Sequence, residues 1–172
     1  MYSSKVSWGR IQVIQEDEAS GPSFDFLTSN FGGLLPPGRV PLAVPVSGTG
    51  DACLPLTPLS RESAAAGSAF LITRGNCPFD VKVMNVQTAG GSIAVIEDPL
   101  DRPLQRIGAS HPLDGYAGIP SIAVPLQCSD YIRKLATENK KISFLLEGLY
   151  TWHSNFNFML PTTILLFAHT FY

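Results

Sequence analysis

Phe70-Leu71-Ile72-Thr73-Arg74-Gly75-Asn76-Cys77-Pro78-Phe79 runs on through Asp80-Val81-Lys82-Val83-Met84-Asn85, closes at Ala89-Gly90-Gly91, and is followed by Ile93-Ala94-Val95-Ile96. Two short apolar runs flank a polar loop and a stretch with helical spacing. Pro78 suits a first helical turn, where its missing N–H costs little. Asp80 in that turn favours the helix dipole. Phe79, Val83 and Val86 share one face at i, i+4 and i+7, and Gly90-Gly91 stops the helix. The order strand, tight loop, helix, strand is a βαβ unit.

Outward from this unit the second half stays regular. Ile119–Pro125 reads as a proline-bounded strand. Ser129-Asp130 reads as the cap of a helix reaching about Asn139, with Ile132, Leu135 and Ala136 inward and Lys134, Lys140 and Lys141 near its end. Ile142–Leu146 reads as a last strand. Toward the N-terminus, Val6, Trp8, Ile11, Val13 and Ile14 fit a strand within 1–19. Residues 22–60 hold so many prolines and glycines that helix is excluded, and short strands such as Val40–Val46 survive there at sheet edges. The expected fold is α/β (α+β): a mixed sheet, or two small packed sheets, forming a sandwich or open barrel with short helices at 78–90 and 129–139.

The 172 residues suffice for one domain with a core. A net charge of −2 gives no support for nucleic-acid binding. No secretory signal follows Met1, and no apolar run reaches the roughly 20 residues of a membrane helix. The tail Leu149–Tyr172, with no Asp, Glu, Lys or Arg, breaks from the preceding pattern and is expected to pack loosely or be disordered.

Chemistry-bearing patterns are sparse. His111, His153 and His169 belong to no triad motif, so no catalytic residue is assigned. Asp98, Asp101, His111 and Asp114 share the long loop 98–118, but their spacing matches no metal loop. No metal and no cofactor is expected. Gly90-Gly91 follows a helix, so it is no phosphate loop. Cys77 is either a reactive thiol at a helix start or half of a disulfide with Cys53. Such a bridge would close a loop of about 25 residues, worth about 3 kcal/mol. The bridge is the favoured reading, with Cys128 left unpaired and half buried ahead of the second helix. Arg74, Gly75, Asn76 and Cys77 form the candidate ligand-binding loop: free N–H groups at a helix start suit an anion or peptide carboxylate, and Arg74 adds a fork of donors. The competing reading is that Gly75 and Asn76 only make the turn.

With these residues in view, the chain resembles the protease-associated (PA) domain family over about residues 20–148. The resemblance rests on Asp51-Ala52-Cys53-Leu54-Pro55-Leu56 and on Phe70–Phe79. It continues through Lys82, Asn85, Gln87, Ala89, Gly90 and Ala94-Val95-Ile96 to Ile119-Pro120-Ser121-Ile122. Phe24–Leu27, Phe31-Gly32, Leu35-Pro36-Pro37, Phe79–Gln87 and Leu104–Gly108 are most similar to the lumenal domain of transmembrane RING-H2 ubiquitin ligases. Plant vacuolar-sorting receptors carry a related domain. The resemblance implies a non-catalytic module that captures peptide or protein cargo, acts as a monomer, and lies outside the cytosol, in an endomembrane lumen or at the cell exterior. That placement supports a Cys53–Cys77 disulfide. Some family members bind peptide cargo through the loop matching Arg74–Cys77. The alternatives are an accessory fragment of a ligase or protease, or a structural spacer. A membrane link would run through a segment missing from this chain, and a truncated product, an alternative transcript or an imperfect gene model, diverging near Leu149, is expected.

Overall fold

The computed structural model describes residues 8–16, 18–43, 50–56, 67–110 and 118–149. Seven strands and two helices follow in the order β1 (Trp8–Gln15), β2 (Ser23–Thr28), β3 (Arg39–Ala43), β4 (Ala69–Thr73), α1 (Phe79–Thr88), β5 (Ile93–Glu97), β6 (Ser121–Val124), α2 (Leu126–Thr137) and β7 (Ile142–Leu149). The strands close into a barrel in the order β1-β2-β6-β5-β4-β3-β7. The sheet is mixed, as expected, and its two ends meet where an open barrel or split sheet was anticipated. The β4–β5–β6 run is parallel, with Phe70 beside Ala94 and Val95 beside Ile122. β1 pairs antiparallel with β2 and with β7, the latter from Trp8–Leu149 to Gln15–Ile142.

The apolar runs of β4 and β5 are uninterrupted because both faces of those strands are buried. With a side-chain period of two, Ala69, Leu71, Ile93 and Val95 point one way and join a cluster drawn from all seven strands: the barrel interior. Ile132 and Leu135 of α2 pack on that cluster. Phe70, Ile72, Ala94 and Ile96 point the other way and meet Val83 and Val86 of α1. Helix α1 is thus the outer cover of the parallel strands.

Both helices end in Schellman turns. After α1, the Gly91 N–H donates to Val86 O (3.0 Å) and the Gly90 N–H to Gln87 O (2.9 Å), with Gly90 at φ +93°. A β-carbon on Gly91 would sit 2.5 Å from Val86 Cγ1 and 2.9 Å from Phe70 Cδ2, so glycine lets the helix end lie close on β4. After α2, Asn139 takes the left-handed position at φ 54°, and Lys140 N–H donates to Leu135 O (3.1 Å).

Three expectations need correction, and one strand was not foreseen. α2 begins at Leu126, with Pro125 as its N-cap. Ser129 lies inside the helix, fully buried, its hydroxyl donating to Leu126 O (2.9 Å). Cys128 is therefore also inside α2 and fully buried, not half buried ahead of it. β3 is no sheet edge, since it pairs with both β4 and β7. β2, a strand not named in the Pro- and Gly-rich region 22–60, pairs with β1 and β6. The tail expectation for 150–172, and those for residues 44–46, His111, Asp114, His153 and His169, lie outside the described residues. No helix among the described residues is long and apolar enough to cross a membrane.

Candidate functional site

The β4–α1 turn and the segment Gly50–Cys53 are tied together at one end of the parallel strands. Cys53 and Cys77 form a disulfide, with Cα atoms 5.7 Å apart and a sequence separation of 24. Polar bonds surround it. Asp51 Oδ1 accepts from the Cys53 N–H (3.0 Å), and Asp51 Oδ2 accepts from Asn76 Nδ2 (2.8 Å). Asn85 Nδ2 donates to Ala52 O (2.9 Å). Lys82 is fully buried, and its ammonium donates to Asp51 O and contacts Cys53 Sγ at 3.3 Å. The hydrogen bond from Asn76, then that from the Cys53 N–H, hold the Asp51 carboxyl below its usual value of 3.8 against the opposing effect of burial. Burial lowers Lys82 from 10.5, and the Asp51 charge resists that fall.

Asn76 (φ 65°) and Gly75 (φ 112°) both occupy positive-φ positions. This is the tight turn their residue types predict. The Asn76 side chain bonds to Asp51, the Gly75 carbonyl accepts from the Cys77 N–H (2.8 Å), and α1 receives no side-chain cap at Pro78.

Arg74 turns the opposite way. Its guanidinium pairs with Asp98 (3.4 Å), donates to Gln105 Oε1 (3.2 Å), and lies 5.5 Å from the Phe79 ring centroid. Its side chain is only 28% exposed, so the donor fork read from the sequence is already engaged within the fold. Asp98 is also gripped by Arg102, through Nε (2.9 Å) and NH2 (3.0 Å). Burial alone would raise the Asp98 carboxyl. The hydrogen bonds from Arg102 and the Leu100 N–H, with the charges of Arg102 and Arg74, outweigh it and hold the group below 3.8. Beneath this cluster, Glu97 is 2% exposed and bound by Thr73 Oγ1 (2.7 Å) and both terminal nitrogens of Arg133.

The result is a shallow, open surface groove between the start of α1 and the segment 97–107. Phe79, Ile96, Leu104, Ile107 and Val124 supply an apolar floor, and Arg74, Arg102, Asp98 and Gln105 supply the polar rim. Of the four residues selected from sequence, Arg74 lines this groove. Gly75, Asn76 and Cys77 belong instead to the disulfide loop beside it. Asp98, Arg102, Leu104 and Gln105 come from the long loop 98–118 and were not individually assigned as binding residues, because the segment shows no periodicity that fixes which side chains face Arg74. No group of three His, Cys, Asp or Glu residues able to hold a metal occurs among the described residues.

A closed mixed barrel with α1 as its outer cover, and a disulfide binding the β4–α1 turn to the preceding loop, define a small α/β barrel domain. The chain belongs to the PA domain family, whose model matches residues 39–127. It is 29% identical over 139 residues to human E3 ubiquitin-protein ligase ZNRF4, an alignment covering 79% of this chain and 32% of that protein. It is 27% identical over 130 residues to signal peptide peptidase-like 5 of Arabidopsis thaliana, covering 74% and 23%. Among solved structures, an aminopeptidase from Aneurinibacillus sp. strain AM-1 superposes with a TM-score of 0.57 at 15% identity, over 83% of this chain and 31% of that one. That likeness speaks for the fold. The chain spans about a third or less of the length of these curated relatives.

Proposed function

We propose that this chain is a non-catalytic peptide- or protein-binding module, and that the groove between the start of α1 and residues 97–107 is where it takes an extended segment of its partner. The observation that carries this reading is the groove's make-up: an apolar floor surrounded by two arginines, an aspartate, a glutamate and a glutamine. Such a mixture suits an apolar side chain flanked by polar groups of an extended segment. The relatives support it in a second way. A ubiquitin-protein ligase and a signal peptide peptidase-like protein differ in the chemistry their names state, so a shared domain serves a shared need such as holding a protein substrate. The Cys53–Cys77 bridge favours an oxidising compartment, an endomembrane lumen or the cell exterior. Substrate recruitment for a membrane-bound ligase or protease is then the role, with the module acting as a monomer.

One observation favours a spacer instead: Arg74 is already committed to Asp98 and Gln105, as a latch fastening the 97–107 segment would be. Selection of random peptides on the oxidised chain separates the two. A peptide enriched in this way should lose at least tenfold in affinity to Leu104→Asp, which places a charge on the groove floor at a half-exposed position. Failure to enrich any peptide, or equal affinity for wild type and Leu104→Asp, would favour the latch.

A further inference from the structure

The contact between Lys82 and the disulfide serves no need of the groove. A lysine is almost never fully buried without a partner, yet Lys82 has no exposed surface, and its ammonium lies 3.3 Å from Cys53 Sγ. The two sulfurs are thereby made unequal. In thiol–disulfide exchange, the sulfur whose thiolate is better stabilised leaves faster, and the incoming thiolate bonds to the other. We propose that the Cys53–Cys77 bridge is a directional thiol-exchange site: a low-molecular-weight thiolate bonds to Cys77 Sγ, and Cys53 Sγ departs as a thiolate onto the Lys82 ammonium.

The step balances. One S–S bond breaks and one forms, and the negative charge passes from the reagent sulfur to Cys53 Sγ. A second equivalent of the thiol, attacking the reagent sulfur of the Cys77 adduct, releases the reagent's disulfide and a Cys77 thiolate. The two electrons that reduce the bridge come from those two thiols. Both cysteines are partly exposed, and Gly75, Asn76 and Pro78 around Cys77 are exposed, so an approach to its sulfur is open.

One effect opposes this polarity. Cys77 precedes α1, whose N-terminal dipole favours a thiolate there. A direct, desolvated ammonium contact outweighs the dipole of a 10-residue helix. The charged groups on the described segments around the bond are Lys82 and Asp80 on α1, Asp51 before Cys53, and Arg74 before Cys77. Arg74 is turned to Asp98. Asp51 is occupied by Asn76 and the Cys53 N–H. Among the described residues, Lys82 is the charged group in contact with sulfur. Cys128 stays out of the reaction, being fully buried in α2. This inference does not depend on the groove binding a peptide.

The test is brief exposure of the oxidised chain to reduced glutathione, an acid quench within seconds, maleimide labelling and peptide mapping by mass. Glutathione on Cys77 with maleimide on Cys53 should exceed the reverse pattern at least tenfold. Lys82→Met should bring the ratio close to parity, and Lys82→Arg should preserve the preference. Glutathione mainly on Cys53, equal labelling, no adduct on either cysteine, or an unchanged ratio in Lys82→Met would each overturn the proposal. If Lys82→Met does not fold, the wild-type chain decides. After full reduction, iodoacetamide alkylation should reach its pH midpoint lower at Cys53 than at Cys77, and the opposite order would refute the assignment.

Discussion

Reducing the Cys53–Cys77 bridge changes no residue and removes one covalent constraint, so its cost can be worked out from the structure. In the folded chain the loop it fastens keeps other ties: Asn76 to Asp51 (2.8 Å), Asn85 to Ala52 O (2.9 Å), and Lys82 to Asp51 O. The folded state should change little, and the loss should fall on the unfolded chain. A separation of 24 positions closes a loop of roughly 25 residues, which removes about 12 cal/mol/K of chain entropy, or about 3.5 kcal/mol at 25 °C. For a domain of this size that is a fall in Tm of about 10 °C. The assay is urea unfolding, followed by fluorescence, with and without a phosphine reductant. Freed from the cross-link, the unfolded chain is also less compact, so the urea dependence should steepen on reduction. A loss under about 1 kcal/mol would refute this reasoning, since loop closure alone predicts more. A loss beyond about 6 kcal/mol would equally refute it, by showing that the bond holds the folded loop itself together.

Three further predictions follow from the same neighbourhood and from α2. Arg133→Met leaves the carboxylate of Glu97, 3% exposed as a side chain, with Thr73 as its remaining described partner. Because Arg133 is itself 48% exposed, the expected loss is discounted to about 2 kcal/mol, measured by urea unfolding; no loss would contradict the buried pairing. Asp51 and Asp98 both have carboxyl pKa values below 3.8 in the fold. The unfolded chain therefore binds protons first on acidification, so the stability they add is present above 3.8 and is lost as pH falls through the folded values. Asp98→Asn should accordingly show a flatter urea midpoint between about pH 5 and pH 2 than wild type does, and an identical slope would contradict the ion cluster. Burial pushes the Cys128 thiol up to about 12, so maleimide at neutral pH should label it only after unfolding; rapid labelling of the folded chain would contradict its place inside α2.

The βαβ unit was legible because its signals are local. Phe70–Thr73 and Ile93–Glu97 are short apolar runs, and Pro78 and Gly90-Gly91 mark both ends of the helix between them. What escaped depends on distant partners. Ser-Phe-Asp-Phe-Leu-Thr at 23–28 has weak alternation, and it becomes β2 by pairing with β1 and with β6, about a hundred residues away. Barrel closure rests on β1 meeting β7 across most of the chain, which no local pattern encodes. Ser129-Asp130 looked like a cap, but Pro125 had already fixed the start of α2. At the site, the turn residues Gly75 and Asn76 declared themselves through their conformational preferences. Lys82 did not, because a lysine on a short helix reads as solvated until a carbonyl and a sulfur appear beside it. Arg74 was selected from sequence as part of a ligand-binding loop, while its partners Asp98 and Gln105 lie on an irregular segment with no local pattern to pair them with it.

The central claim is that the groove beside α1 holds a protein segment. The most direct measurement is amide NMR of the isotope-labelled, oxidised chain, titrated with a peptide enriched on it. The account predicts shifts concentrated at Arg74, Phe79, Asp98, Arg102, Leu104 and Gln105, saturating with the peptide and absent in Leu104→Asp. Shifts confined to another face of the barrel, or none at saturating peptide, would contradict it.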